Sequence, residues 1–268
     1  MTAAAGTRET TTRKLRSAEI ATGLSDFDAL AGPIPRQHVT VVAARTSAGA
    51  TAFALGVARH NDEIGHQAAF ASFESGTNTI MGNLVAATTS VNTDRPLSIN
   101  PGRRARIDRT RKALEQSRLL LWSRAGKPGK WAFAHLMKQL AAQPELDLVV
   151  MDGYSQAAYG EPSEGATFAA LQRLARERDV AVLVTAHLTP DEDAPETDPP
   201  ALSDLRLMEG PVAEARNAVL LHRPDRNGAV PQRRGEVDLI AVGGWQDTGS
   251  ATVRFEPEYH RFVDLPNT

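Results

Sequence analysis

The chain contains no cysteine, which excludes disulfides, thiolate metal sites and a cysteine nucleophile. Excess charge is also missing, because 30 Lys and Arg against 32 Asp and Glu leave a formal charge of -2. The molecule as a whole therefore exerts no electrostatic attraction on nucleic acid or on an anionic membrane, and any such binding needs a local patch. Long apolar runs are absent, with none approaching the roughly 18 residues of a membrane span. The first residues, MTAAAGTRETTTRKLRS, lack the apolar stretch of a secretory signal. A cytoplasmic protein with no membrane attachment is expected. There is no internal repeat.

What is present is a chain of 268 residues with 41% hydrophobic content, enough to bury one large core. Residues 1–18 have little to bury and read as a flexible N-terminal arm; residues 19–268 read as one domain. Apolar runs alternate with helical patterns along that domain. HVTVVAA (38–44) reads as a buried strand, and TAFALGVARHNDEIG (51–65) as a helix closed by Gly65. Strands are further predicted at 68–74, 119–123, 147–152 and 180–187, and helices at 77–91, 103–117, 131–143 and 167–179. The runs 218–223, 237–244 and 251–265 read as a terminal meander. Strand and helix in this alternation give an α/β fold, with a mainly parallel central sheet, helices on both faces and a C-terminal antiparallel meander.

In such a sheet the chemistry lies at the carboxyl ends of the strands. The first of these ends carries Ala44, Arg45, Thr46, Ser47, Ala48, Gly49, Ala50 and Thr51 between a strand and a helix. A phosphate-binding loop needs backbone amides facing the phosphates, a Gly for close approach, a Lys for the outer phosphates and a hydroxyl for magnesium. Gly49 and Thr51 meet that pattern, and Ala50 stands where the Lys belongs. A Gly between a strand and a helix also serves as a plain tight turn, so the loop alone leaves both readings open.

The surrounding residues resemble the RecA-like P-loop ATPase domain of DnaB-type replicative helicases. Ala43, Ala44, Arg45, Ser47, Gly49 and Thr51 fit the family's A-x-R-P-x-x-G-K-T. Upstream, Thr22-Gly23-Leu24 with Phe27-Asp28-Ala29-Leu30 is similar to its T-G-[FY]-x-x-L-[DN]. FASFES resembles F-S-L-E-M, which implies that Glu74 is the carboxylate that positions an attacking water. VVMDGYSQ resembles the Walker B strand, which implies magnesium held by Asp152 together with Thr51, with Gln156 near a family glutamine. VTAHLT resembles the strand ending in a phosphate-sensing glutamine, here His187. SDLR (203–206), and a later strand ending in His222-Arg223, complete the likeness, and Arg206 becomes a candidate DNA contact.

The departures carry as much meaning. A Lys about 4 Å from a phosphate oxygen contributes on the order of 4 kcal/mol of Coulomb attraction before desolvation, at an effective dielectric near 20; Ala50 contributes none. Arg45, Lys127 or Lys130 are the cations that would have to replace it. In the family a late G-K-Q-R-N-G turn sends a Lys and an Arg into the neighbouring subunit's site. Here that turn reads Gly243-Gly244-Trp245-Gln246-Asp247. Fingers of this type are worth roughly 10³ to 10⁵ in rate in related phosphoryl-transfer systems.

The loops expected to hold DNA are acidic. AAYGEPSEGA (157–166) carries Glu161 and Glu164, and the next loop carries Asp191, Glu192, Asp193, Glu196 and Asp198; such loops repel phosphate. Two basic regions point the other way. Arg103, Arg104, Arg106, Arg109, Arg111 and Lys112 crowd one predicted helix, and the arm carries Arg8, Arg13, Lys14 and Arg16. Charge runs of this kind usually form solvated faces, and neither interleaves aromatics.

The expectation is a degenerate helicase-like pseudo-ATPase that binds a partner protein or regulates an assembly, with weak ATP and magnesium binding at most. The alternatives are an active ATPase or DNA helicase subunit with a non-standard P-loop, and a nucleotide sensor that does not hydrolyse. A homo-oligomer fits each of the three. No counterpart of the family's separate N-terminal helical domain is expected.

Overall fold

The computed structural model describes residues 19–93, 100–124, 132–159, 163–188, 198–201, 204, 215, 217–225, 230–245 and 248–266. The proposed arm, Lys127, Lys130, Glu161, Asp191 to Glu196, Ser203, Arg206 and Gln246 lie outside the described residues. The elements run α1 (Ser25–Ala31), β1 (Val39–Ala44), α2 (Ala50–Glu63), β2 (Ala68–Ser72), α3 (Thr77–Thr89), α4 (Pro101–Glu115), β3 (Leu120–Ser123) and α5 (Ala132–Ala141). They continue with β4 (Leu148–Asp152), α6 (Tyr154–Ala158), α7 (Glu164–Arg178), β5 (Ala181–His187), β6 (Asn217–His222), β7 (Glu236–Gly243), β8 (Gly249–Glu256) and β9 (Arg261–Asp264).

The strands form one nine-stranded sheet in the order β3-β2-β4-β5-β1-β6-β7-β8-β9. From β3 to β6 every pairing is parallel, and from β6 to β9 every pairing is antiparallel. The central strands are buried along their whole length, as near-continuous Val, Leu and Ala runs require when both faces are covered. Alternate residues feed two cores. Val42 and Ala44 of β1 pack with α2, whereas Val39, Val41 and Ala43 pack with α5 and α7. Because β5 and β4 lie between β1 and β2 in the sheet, the carboxyl ends of β1, β2, β4 and β5 open on one crevice.

The expected elements are present, with three corrections. A seven-residue helix, α1, precedes β1; Asp28 within it accepts from the backbone N–H and hydroxyl of Thr22 at 2.8 and 2.7 Å and from the N–H of Gly23 at 2.9 Å, so the T-G-L segment is tied to its own helix. The loop expected over 157–166 is shorter, because α6 reaches Ala158 and α7 begins at Glu164, where the Ser163 hydroxyl accepts from the N–H of Ala166 at 3.0 Å. The run 251–265 is two strands rather than one. Pro257 has no N–H to give a ladder, and His260 at φ 50° reverses the chain, so β8 and β9 pair as a hairpin.

Trp245 settles the late turn. It is 9% exposed, sits edge-to-face with Phe27 at 5.9 Å between centroids, and donates from Nε1 to the Ala218 carbonyl at 2.9 Å. The largest side chain of that turn thus points into the core of its own chain.

Candidate functional site

The crevice is built by short-range chemistry at each strand end. After β1 the chain turns through Ser47 at φ 65° and Gly49 at φ 99° before α2 begins at Ala50. Left-handed residues on either side of Ala48 give the alternation from which anion nests are built, while the Ala48 N–H itself donates to the Arg45 carbonyl at 3.1 Å. Gly49 is required on two counts. Its φ is left-handed, and a Cβ there would lie 2.8 Å from the Phe262 ring. Phe262 stacks on Phe255 at 4.7 Å between centroids and lies edge-on to Phe53 at 5.9 Å, so the loop rests on a fixed aromatic group. Ala50 packs its methyl group against the core.

Asp152, at the end of β4, is fully buried. Three hydroxyls donate to it: Thr51 and Thr185 to Oδ1 at 2.8 and 3.0 Å, and Ser72 to Oδ2 at 2.8 Å. Ser72 Oγ in turn accepts from the backbone N–H groups of Glu74 and Ser75, and Thr185 Oγ1 accepts from that of Gly153. Three strands, β2, β4 and β5, and the first turn of α2 are thereby laced to one carboxyl group. Burial pushes its pKa up, and the hydroxyl bonds from Ser72 and Thr51 only partly oppose this.

Glu74 meets His187 across the crevice, with Nε2 3.1 Å from Oε1. The hydrogen bond to Glu74 raises the imidazole pKa, while partial burial pulls it the other way. The charged pair therefore forms at lower pH and is lost as pH rises through that raised value. Gly153 makes the approach of Glu74 feasible, since a Cβ there would stand 2.7 Å from the Glu74 side chain.

Arg45 is 7% exposed and donates from Nη1 to the Asp198 carbonyl at 3.1 Å. It is held at the base of the loop. Sequence reasoning did not single out Arg223, Ser72 or Thr185 as site residues. Arg223 donates to the Ser47 carbonyl at 3.4 Å, pairs with Asp225 at 2.7 Å and lies 5.7 Å over the Phe255 ring. Its place at the end of β6, in His222-Arg223, is the one signal that pointed to it.

The residues fit a magnesium–nucleotide group on one side only. Thr51 and Asp152 supply the hydroxyl and carboxyl donors that would stand beside a hydrated magnesium, and the Ser47–Gly49 turn supplies amides. At the outer phosphates the helix begins with a methyl group, and the Arg223 guanidinium beside the loop is already paired with Asp225. Among the described residues no three of His, Cys, Asp and Glu converge on a metal position.

One prediction follows from Asp152. With its pKa raised, the native state holds a proton that the unfolded chain releases near 3.8, so stability falls as pH rises through that window and the cost is complete above it. Asp152→Asn has no charge to bury. Its Oδ1 can accept from Ser72 while Nδ2 donates to both Thr51 and Thr185. The variant should be more stable than the natural protein at pH 7.5 and lose that advantage near pH 4, read by urea unfolding at the two pH values.

Comparison with known proteins bears on the whole chain. The family described as "DnaB-like helicase C terminal domain" matches residues 19–264. The replicative DNA helicase DnaC of Bacillus subtilis (strain 168) is 23% identical over 260 residues, covering 92% of this chain and 56% of its own. The replicative DNA helicase DnaB of Geobacillus stearothermophilus gives the same identity and coverage. This chain thus spans about half the length of the curated relatives it matches. Among solved structures, one described as an ATPase domain superposes with a TM-score of 0.76 at 22% identity, covering 99% of this chain and 100% of that one. A DnaB-like replicative helicase, described with its interactions with primase, gives a TM-score of 0.79 at 21% identity over 96% of this chain and 67% of its own. The nine-stranded sheet is therefore the fold of DnaB-like, RecA-type domains. No helix among the described residues is long and apolar enough to cross a membrane.

Proposed function

Since this chain belongs to the DnaB-like helicase C-terminal domain family, we propose that it is a member that no longer hydrolyses ATP. It acts as a pseudo-ATPase by binding a partner protein or regulating an assembly, with residues 1–18 as an arm on the domain 19–268. Ala50 carries this reading: the first residue of α2 offers a methyl group to the core where a lysine would face the outer phosphates. Loss of a fixed cation there removes transition-state stabilisation that water does not restore.

Three further observations support it. Asp152 is enclosed by protein hydroxyls and its pKa is raised by burial. Glu74, the expected water-positioning carboxylate, is tied to His187. Trp245 turns inward on the segment that carries trans-acting cations in the resembling family. A fold relative is described with its interactions with primase, which makes a replication-associated protein a fitting class of partner; a second copy of this chain is the other.

One observation favours a second reading, a nucleotide sensor that binds without hydrolysing. The turn through Ser47 and Gly49 leads straight into the N-terminus of α2, where dipole and free amides favour an anion.

Titration of the purified chain with a fluorescent ATP analogue and magnesium tests both. No saturable binding below about 1 mM, on the order of 4 kcal/mol, supports the pseudo-ATPase. Saturation in the micromolar range without turnover supports the sensor.

A further inference from the structure

We propose that the groove between the C-terminal end of α3, the first turns of α4 and the turn at Pro257–Tyr259 binds single-stranded nucleic acid, outside the P-loop crevice. No residue of α4 is buried. Ile107, Thr110 and Leu114 are half-buried, at the i, i+3, i+7 spacing of a single narrow stripe. Arg103, Arg104, Arg106, Arg109, Arg111 and Lys112 surround that stripe against Asp108 and Glu115 alone. Among the described residues, none of the six cations makes an ion pair or a side-chain hydrogen bond. A helix so charged and so little packed keeps its cations for something other than its own fold.

The structure adds what the sequence lacked, an aromatic ring beside the cations. Arg103 and Arg106, one helical turn apart, line a groove of about 700 Å³ together with Ser90, Asn92, Glu258 and Tyr259. That volume suits a nucleotide unit. Tyr259 is held firmly: the Arg261 guanidinium lies 5.4 Å over its ring, and Arg261 is itself fixed to Glu256 at 2.7 Å and to the Ala87 carbonyl at 3.0 Å. A fixed ring next to unpaired guanidiniums is the combination by which single strands are held, with bases on the ring and phosphates on the cations. Duplex would present phosphates but no free base face. Glu258 sets the orientation, because its carboxylate repels phosphate and leaves the backbone to the α4 side. The arrangement shares no residue with the P-loop, Glu74, Asp152, His187 or Arg223, so it stands whether or not the P-loop takes nucleotide.

The test is fluorescence anisotropy of a labelled 20-nucleotide oligothymidylate with the full chain, without ATP, over a salt series. The Arg103→Gln/Arg106→Gln double variant is expected to bind at least tenfold more weakly, and its log affinity against log salt to flatten by about 1.4, two phosphates at roughly 0.7 each. Tyr259→Leu is expected to weaken binding about tenfold with the salt slope unchanged, as loss of stacking requires. The arginines are exposed, so the double variant tests the site even if Tyr259→Leu misfolds. Affinity unchanged in the double variant overturns the proposal, as does absence of binding by the natural chain. Displacement of the oligonucleotide by polyglutamate at equal charge concentration also overturns it, and would assign the surface to an acidic protein.

Discussion

Replacing Ala50 by Lys is expected to raise the affinity for magnesium–ATP by about 30-fold. Ala50 opens α2 directly after the Gly49 turn, so an ammonium group on four methylenes at this position can lie over the loop that precedes the helix. A cation about 4 Å from a phosphate oxygen gains on the order of 4 kcal/mol at an effective dielectric near 20; desolvation of the ammonium group offsets about half. The remaining gain, about 2 kcal/mol, is about one and a half decades in affinity. The same substitution should cost the unliganded protein about 0.5 kcal/mol, because a positive charge at a helix N-terminus opposes the helix dipole. Calorimetric titration of both proteins, with a melting curve of each, reads the two effects. Equal affinity for the nucleotide would mean that another group already supplies the missing charge.

Gly49→Ala should destabilise the fold by about 3 kcal/mol. Its φ of 99° is one that an alanine occupies only under strain, and the new Cβ would stand 2.8 and 3.1 Å from two atoms of the Phe262 ring and 3.2 Å from the Phe255 ring. Strain at a left-handed position costs roughly 1–3 kcal/mol and overpacking roughly as much again. The Phe262 ring cannot simply swing away, since Phe255 stacks on it and Phe53 meets its edge. Relief would come from the rings: Phe262→Ala added to Gly49→Ala should recover part of the loss, and urea unfolding of the two single variants and the double variant measures the coupling. Independent losses would show that the aromatic group does not set the loop.

Most of the sheet was legible because its central strands are near-continuous apolar runs whose covering helices carry a different period. The misread parts have local causes. The helix α1 has seven residues and buries two, Phe27 and Ala31, too few for a period to emerge. The hairpin β8–β9 reads as one strand because its apolar alternation resumes beyond Pro257. In the site, Thr51 is pointed to by the phosphate-loop pattern and Asp152 by the resemblance of its strand to a Walker B strand, and the alanine in the lysine position is visible as Ala50. The hydroxyl set on Asp152 is not, because Ser72 and Thr185 lie 80 and 33 residues away along the chain and look like ordinary strand residues. His187 stands in the sequence at the position of the family's sensor glutamine; its contact with Glu74 comes from two strand ends that only the order β2-β4-β5 brings across from one another. Tyr259 and α4 are more than 140 residues apart in sequence, so no local pattern joins the ring to the arginines.

If the fold keeps its phosphate loop without the charge that drives hydrolysis, phosphate release from magnesium–ATP is the quantity that shows it. Measured on the purified chain with and without single-stranded DNA, release should be no faster than the buffer blank in both cases. Steady turnover that disappears in Glu74→Gln would contradict this, because the crevice would then be a working ATPase site with its cation supplied from elsewhere.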